Sequence, residues 1–284
     1  MSDLLIFGRT GQVARALQHL APLQAPGREA ADLAQPGACA AAIHVHRPRA
    51  VINATAYMAV DRAEGNEALA TAINGAAPME IAVACAAMNI PLVHICTDYV
   101  FPGNGHAPWA PEDATAPANA YGRSKWAGKE GIRASGATHA ILPTSWVFSA
   151  HGAKFAETML RLSETRDAIG VVEDHIGGPT PARAIAAASL VIAQQLQDAS
   201  EKTSTYHFSG APDASWCIFA RAIYDLTGRP IRVQGITSSA YIMPAALLLS
   251  SRLDSRSTKT TFDITRPDWR AALTDTLIEL GGSN

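Results

Sequence analysis

The chain has 284 residues, of which 48% are hydrophobic and 17% charged, and its 23 basic and 25 acidic side chains give a formal charge of −2. The charged fraction is below the about 25% of an average soluble protein, so no polyelectrolyte surface is expected. Nucleic acid is therefore not an expected partner, because phosphate binding depends on a concentrated basic surface. Two domains are predicted, since single cores stop growing efficiently near roughly 250 to 300 residues.

The first half of the chain alternates between apolar strands and helical segments. Strands are predicted at 3–7, 50–53, 91–97 and 139–144, and helices at 12–20, 38–46, 67–88 and 121–135. This alternation predicts a parallel sheet with helices on both faces, which is the doubly wound, Rossmann-like α/β fold.

The pattern becomes less regular after Trp146, where turns rich in glycine and proline separate the segments. We therefore predict a dinucleotide-binding domain over residues 1–150 and a smaller α/β domain, mainly for substrate binding, over residues 151–284. The helical stretch 181–196 is apolar enough to pack back on the first sheet, so the boundary is not expected to be a clean cut.

The four cysteines lie far apart, with no C-x-x-C pair and no histidines at zinc spacing. They are predicted to be reduced, buried thiols, and no metal site is predicted. The first eight residues lack the basic segment of a secretion signal, and no stretch approaches the about 18 apolar residues of a membrane span. A cytoplasmic protein without a membrane partner is expected.

The segment Gly8-Arg9-Thr10-Gly11-Gln12-Val13-Ala14 is a G-x-x-G-x-x-A loop between the first strand and the first helix. Such glycines let the backbone approach a pyrophosphate, whose charge is then met by free N–H groups at the positive end of the helix. The alternative is a tight turn that binds no ligand, because short glycine patterns recur by chance.

The stretch Ala25-Pro26-Gly27-Arg28 occupies the place where a second strand normally ends in an acidic residue. A guanidinium at Arg28 can pair with a 2′-phosphate that a carboxylate would repel, so NADPH is the predicted cofactor and NADH the less favoured one. Arg9 is a second candidate for that phosphate, and Asp32 and Leu33 are expected beside the adenine. The alternative for Arg28 is a solvated surface arginine.

Tyr121 and Lys125 lie four residues apart at the predicted start of a helix, so both emerge on one face. They follow Thr97, which ends a predicted strand at the sheet edge where ligands bind in this architecture. A phenol is a poor acid at neutral pH unless a nearby cation lowers its pKa, and Lys125 is predicted to do so for Tyr121. Thr97 is predicted to hydrogen-bond the reacting oxygen.

Over nearly its whole length the chain resembles the extended short-chain dehydrogenase/reductase family, and within it the dTDP-4-dehydrorhamnose reductases. Beyond the glycine loop, the resemblance rests on Asn53-Ala54-Thr55-Ala56-Tyr57, Thr97-Asp98-Tyr99-Val100-Phe101-Pro102-Gly103, Pro117-Ala118-Asn119-Ala120-Tyr121-Gly122 and Thr144-Ser145-Trp146-Val147. It implies a catalytic group of Thr97, Tyr121 and Lys125. It also implies cofactor contacts at Ala54, Thr55 and Ala56, and substrate contacts at Val60, Thr97, Asp98, Val100 and Trp146.

The resemblance implies NADPH-dependent reduction of the C4 ketone of dTDP-4-dehydro-L-rhamnose, a nucleotide sugar. Ala246-Leu247-Leu248 replaces an Arg-Arg-Pro of the family in a loop that helps to enclose the sugar nucleotide. Reduction of another nucleotide-linked 4-keto sugar therefore stays open. A non-catalytic, NADP-binding regulatory subunit, like the beta subunit of methionine adenosyltransferase, is the other class, and the intact catalytic group argues against it.

Arg15 and Arg183 stand where some family members carry acidic residues that join two subunits through magnesium. A cation would not bind between two arginines, so no metal is assigned. The expected assembly is a monomer or a weak homodimer.

Overall fold

The computed structural model describes residues 3–151, 155–240 and 245–281. The main sheet is formed by five parallel strands, β1 Leu4–Phe7, β2 Ala50–Asn53, β3 Leu92–Thr97, β4 His139–Thr144 and β9 Ser204–Thr205, in the order β1-β2-β3-β4-β9. Phe7 pairs with Asn53, and Thr97 with Thr144, so these strands end at a common edge. The predicted parallel sheet is confirmed, and its first four strands lie within one residue of their predicted bounds.

Helices cover both faces of this sheet, as a doubly wound fold requires. The helices of the first half are α1 Gln12–Leu20, α2 Ala38–His46, α3 Val60–Ala63, α4 Glu67–Thr71, α5 Ala77–Met88 and α6 Ala120–Ala134. A π-helical segment, Ala72–Ala76, joins α4 to α5, and a 3₁₀ turn, Asp98–Val100, follows β3.

Both faces of the sheet are apolar because successive side chains of a strand point to opposite faces. Leu5 and Phe7 of β1 belong to one core together with Ile43 of α2. Ile6 belongs to the opposite core together with Leu17 of α1. The continuous apolar run of the first strand is therefore explained by burial on two sides.

The second half builds smaller sheets around a separate core. Its strands are β5 Val147–Phe148, β6 Ala168–Val172, β7 Ile176–Gly177, β8 Thr180–Pro181, β10 Ala214–Ser215, β11 Arg232–Ile236 and β12 Ser250–Ser251. They form a three-stranded sheet, β10-β7-β12, and the pairs β6-β11 and β5-β8. The helices are α7 Phe155–Leu162, α8 Ala182–Asp198, α9 Trp216–Thr227, α10 Arg256–Phe262 and α11 Trp269–Glu279, with 3₁₀ turns at Ser200–Lys202 and Ser238–Ala240. Phe148, Phe219 and Trp269 lie at the centre of this core.

Two segments beyond residue 150 return to the main sheet. Ile185 and Ile192 of α8 are fully buried in the same core as Ile6, and β9 pairs in parallel with β4. The packing of α8 on the first sheet is thus observed, and the division of the chain at residue 150 stays a prediction.

The strand that a dinucleotide fold normally has ahead of this position is reduced here to a single bridge. Gln24 forms only an isolated bridge with Leu5, in which Gln24 N donates to Leu4 O at 2.9 Å and Ile6 N donates to Gln24 O at 2.8 Å. Pro22 and Pro26 flank this contact, and proline lacks the N–H that a longer ladder would need. Arg28 therefore follows an isolated bridge and is the first residue of a turn.

One helical segment corrects the expectation that no stretch reaches the length of a membrane span. The segment Glu67–Met88 has 22 residues and a mean hydropathy of 1.4 in its most apolar window, which is long and apolar enough to span a membrane. Half of that window is buried inside the protein, and Ile81 and Cys85 lie in the core beside the sheet. These contacts are those of a core helix.

Candidate active site

A cavity of about 1570 Å³ opens along the carboxyl ends of the first four strands. Pockets for single small ligands have about 300 to 1,000 Å³, so this cavity has room for two ligands side by side. Its wall includes nearly all of the site residues predicted from the sequence: Gly8, Arg9, Thr10, Gly11, Gln12, Val13, Arg28, Asp32, Leu33, Ala54, Thr55, Ala56, Val60, Thr97, Asp98, Tyr121, Lys125 and Trp146.

Val100 is the predicted substrate contact that the structure does not place in the cavity wall. Its side chain is fully buried in the core with Phe101 and Leu253, because the 3₁₀ turn after β3 directs it beneath the site. The structure gives Val100 a packing position, and its predicted substrate contact is not supported.

The glycine loop has the geometry of an anion site. Gly8 has φ +112°, and a Cβ there would lie 2.9 Å from Thr55 Oγ1, so only glycine fits. A Cβ on Gly11 would meet only Ala54 O, at 3.9 Å, which leaves open space above this residue. Gly11 caps α1 without a side-chain hydrogen bond, so backbone N–H groups at the positive end of the helix are free to face an anion.

Arg28 and Arg9 lie at the outer end of this loop, and each is paired with an acidic side chain. Arg28 Nε donates to Asp32 Oδ2 at 3.1 Å, and Arg9 lies 3.7 Å from Glu29. Hydrogen bonds from Ala34 N and Arg28 lower the pKa of Asp32. Because Arg28 has 74% of its side chain exposed, most of its guanidinium N–H groups stay available for a further anion.

The start of α6 brings Tyr121 and Lys125 to the end of β3. Asn119 caps this helix by accepting a hydrogen bond from Gly122 N at 2.8 Å. A Cβ on Gly122 would lie 2.3 Å from Tyr99 O, so glycine lets the helix approach the turn that follows Thr97. The Tyr121 hydroxyl contacts Met58 Sδ at 3.8 Å, and Lys125 Nζ donates to Ile95 O at 2.8 Å.

Burial dominates the electrostatics of this group. Burial raises the pKa of Tyr121, and a hydrogen bond with Thr97 opposes that rise. Lys125 Nζ is held against Ile95 O and lies 3.5 Å from His94 Nε2, and its lowering of the Tyr121 pKa stays a prediction. Burial also lowers the pKa values of Lys125 and His94.

Asp98 is a buried carboxyl group beside the catalytic group. Thr97 Oγ1 donates to Asp98 Oδ1 at 3.0 Å and accepts from Tyr99 N at 3.3 Å. Burial raises the pKa of Asp98 to about 6, against the opposing effect of its hydrogen bonds. The hydroxyl hydrogen of Thr97 is thus committed to Asp98, so Thr97 must turn before it can donate to a reacting oxygen.

An aromatic stack forms part of the cavity wall. Trp146 has φ +48° and stacks on Trp216 with ring centroids 3.9 Å apart and an interplanar angle of 15°. A Cβ on Gly177 would lie 2.8 Å from Trp146 Cε2, so glycine in β7 makes room for the indole. A bulky residue in the left-handed region is held there by its surroundings, and the Trp146 side chain lines the cavity.

The segment that replaces the charged loop of the family closes one side of the cavity. Leu247 and Leu248 line the wall. Asn119 Nδ2 donates to Ala246 O at 2.9 Å, which ties this segment to the cap of α6. The altered loop is therefore part of the site, and it presents apolar side chains there.

Several wall residues were not predicted from the sequence: Met58, Tyr99, Phe155, Arg166, His175, Trp216 and Ser251. Met58 is one residue beyond the recognised Asn53–Tyr57 segment, and an alternating reading of that loop would have found it. Tyr99 lies within the recognised Thr97–Gly103 segment, which could have identified it. The others come from the second half of the chain, where the local sequence carries no such signal.

The described ranges contain no group of three or more histidine, cysteine, aspartate or glutamate residues that could hold a metal ion. All four cysteines are buried and free. Arg15 and Arg183 are both exposed, on the neighbouring helices α1 and α8.

The parallel sheet, the glycine loop and the Tyr-x-x-x-Lys pair at one cavity define a Rossmann-like reductase of the extended short-chain dehydrogenase/reductase type. The family model for the RmlD substrate binding domain matches residues 1–281. A dTDP-4-dehydrorhamnose reductase of Burkholderia thailandensis is 38% identical over 287 residues, which cover 95% of this chain and 96% of the relative. The enzyme of that name from Sinorhizobium fredii is 37% identical over 276 residues, covering 94% and 93%.

Solved structures agree with this assignment. A dTDP-4-dehydrorhamnose reductase of Bacillus anthracis, crystallised in complex with NADP, superposes with a TM-score of 0.90 at 29% identity and covers 98% of this chain and 100% of its own. That of Clostridium acetobutylicum gives a TM-score of 0.89 at 28% identity, covering 98% and 99%. The chain belongs to the RmlD family of dTDP-4-dehydrorhamnose reductases.

Proposed function

We propose that this reductase uses NADPH to convert the C4 ketone of dTDP-4-dehydro-L-rhamnose into the hydroxyl group of dTDP-L-rhamnose. The observation that carries the proposal is the meeting of Thr97, Tyr121 and Lys125 beside an open glycine loop within one cavity. The size of that cavity supports a dinucleotide and a nucleotide sugar bound together.

NADPH is the proposed cofactor because its extra phosphate suits the outer end of the cavity. Arg28 and Arg9 offer guanidinium groups there, and both are exposed. A relative of the same family binds NADP. When bound, the nicotinamide supplies the hydride. Gly8 and Gly11 let the backbone N–H groups of α1 meet the pyrophosphate.

Proton delivery is assigned to Tyr121. Addition of hydride to the ketone carbon leaves an alkoxide, which takes a proton to become the alcohol. The Tyr121 hydroxyl is the proposed donor, and Thr97 is proposed to hydrogen-bond and orient the oxygen that receives the proton. Lys125 is proposed to hold the nicotinamide ribose, and its positive charge would favour the phenolate that remains after proton transfer.

A different nucleotide-linked 4-keto sugar is the second candidate. The observation that favours it is the apolar wall formed by Leu247 and Leu248, where the family carries two arginines. Loss of these cations changes the contacts open to the nucleotide sugar.

NADPH oxidation with a panel of dTDP-, UDP- and GDP-linked 4-keto-6-deoxy sugars tests both candidates. The expected result is the highest kcat/KM with dTDP-4-dehydro-L-rhamnose. A clear preference for another sugar nucleotide would support the second candidate. NADPH binding without reduction of any of these sugars would contradict a reductase role and favour a regulatory subunit.

A further inference from the structure

The cavity wall contains a histidine that the proposed mechanism does not use. His175 precedes β7, is 4% exposed and lines the cavity. Its Nε2 atom is buried without a hydrogen-bond partner. Buried polar atoms are normally hydrogen-bonded, so an unpaired ring at the wall of a ligand cavity points to a partner outside the protein.

The location of His175 places it beside the aromatic stack. Alternate residues of an extended segment face the same side, and Gly177, two residues later, lies directly against the Trp146 indole. Residues of β7 pair with Ser250 and Ser251 of β12, and Ser251 also lines the cavity. His175 thus lies between an aromatic face and a polar strand.

The charges around His175 favour a neutral hydrogen-bonding group over an anion. Burial lowers the pKa of His175, opposed only by the neighbouring Asp174, so the ring is neutral at pH 7. Asp98 also lines the cavity, whereas Asp174 does not. A phosphate would meet a neutral imidazole that cannot offset its charge, whereas a hydroxyl group could donate to or accept from the imidazole.

We propose that His175 is a sugar-recognition residue: its ring hydrogen-bonds a hydroxyl group of the hexose, while the apolar face of that hexose packs on Trp146. This inference rests on the proposed function and deepens it by assigning the polar contact that selects the sugar. A hexose has an apolar C–H face and a polar rim, which match the indole and the imidazole.

Calorimetry with dTDP and with dTDP-L-rhamnose, on protein saturated with NADP⁺, separates sugar contacts from nucleotide contacts. His175→Phe keeps a ring but removes both nitrogens. It is expected to weaken dTDP-L-rhamnose binding about 10-fold and to leave dTDP binding unchanged, because one hydrogen bond to the sugar is lost. His175→Asn keeps a donor and an acceptor and should retain most of the affinity for dTDP-L-rhamnose.

His207→Phe is the matched control. His207 is also buried with an unpaired Nε2, but it lies outside the cavity wall and its Nδ1 bonds Trp109 O. The His207→Phe variant should therefore leave the ratio of the affinities for dTDP and dTDP-L-rhamnose unchanged. His175→Leu repeats the test with a smaller side chain if the phenylalanine variant melts at a lower temperature.

Two results would overturn the inference. An unchanged ratio of the two affinities in the His175 variants, or an equal loss for dTDP and dTDP-L-rhamnose, excludes a sugar contact while leaving the proposed function standing. Failure of the wild-type protein to bind either ligand would instead overturn the proposed function, and the role of His175 with it.

Discussion

At the residue scale, Tyr121 offers a direct test of proton delivery. Tyr121→Phe keeps the ring and its packing but removes the hydroxyl group, so turnover should fall by about 10²- to 10⁴-fold, which is the usual contribution of a positioned acid. NADPH affinity should change little, because the glycine loop and Lys125 remain. Steady-state kinetics and fluorescence titration with NADPH measure the two effects.

Tyr99→Phe is the control for this substitution, because the Tyr99 ring packs edge-on against Tyr121 with centroids 5.6 Å apart. It should retain most of the activity. If Tyr121→Phe retained near-wild-type turnover, Tyr121 would have only a packing role and the active-site assignment would be abandoned.

Arg28 is expected to set the cofactor preference. Arg28→Asp places a carboxylate where the 2′-phosphate is proposed to bind, next to Asp32, so the ratio of kcat/KM for NADPH to that for NADH should reverse in favour of NADH. Arg49→Asp, another exposed arginine with a single acidic partner but away from the cavity, should not change the ratio. Equal kcat/KM values for NADPH and NADH, in both the wild type and Arg28→Asp, would disprove the role of Arg28 in cofactor preference.

The raised pKa of Asp98 predicts that the stability of the protein depends on pH. Its pKa is about 6 in the folded protein against an ordinary 3.8, so the folded state holds the proton more tightly between these values. The free energy of unfolding should therefore fall by about 2 kcal/mol from this group as the pH rises from about 4 to 6. Asp98→Asn cannot ionise, so its stability relative to the wild type should increase across that window in urea unfolding.

Asp263→Asn is the control, since Asp263 is exposed and an ion pair with Lys259 lowers its pKa. It should show no such gain between pH 4 and 6. A constant difference between Asp98→Asn and wild type at all pH values would show that Asp98 is not a desolvated carboxyl group.

At the element scale, the cap of α6 links helix stability to the site. Asn119 accepts a hydrogen bond from Gly122 N and donates one to Ala246 O. Loss of the helix cap in Asn119→Ala should cost about 1 kcal/mol of stability. Loss of the bond to Ala246 should loosen the loop of Leu247 and Leu248 and raise the KM for the nucleotide sugar. Asp268→Ala removes the equivalent cap of α11, away from the cavity, and should lower stability without changing KM. Equal KM values in the two variants would count against this link.

Elements were predictable where one local pattern determines them. The continuous apolar run of β1 reflects burial on both faces of the sheet, and the helical spacing of apolar residues in α1 reflects burial on one face of the helix. The bounds of both elements were predicted to within a residue. The structure near Gln24 was not predictable in this way, because two flanking prolines and one bridge to Leu5 determine it. The sequence did not indicate that Val100 is buried away from the cavity. The geometry of the turn after β3 determines which side chains reach the cavity, and no local sequence pattern reveals it.

At the scale of the whole molecule, the cavity joins segments that are far apart in the chain. The glycine loop and the catalytic pair were predictable, because each lies next to a recognisable strand or helix. His175 and Ser251 were not, since only the pairing of β7 with β12 brings them to the wall. The sequence thus predicts the chemistry of the site better than its substrate-binding side.

The last prediction concerns assembly. Arg15 and Arg183 lie on the exposed sides of α1 and α8, two neighbouring helices, where bridging carboxylates would be needed for a magnesium-linked dimer. Two guanidinium groups repel a divalent cation, so neither added magnesium nor EDTA should change the mass in solution or the activity. Light scattering and NADPH oxidation in both conditions provide the measurement.

The double variant Arg15→Glu, Arg183→Glu supplies carboxylates at these positions and is the matched comparison, in which a response to magnesium becomes physically allowed. A magnesium-dependent dimer of the wild type would contradict the prediction, because the cation would then have to bind at other residues.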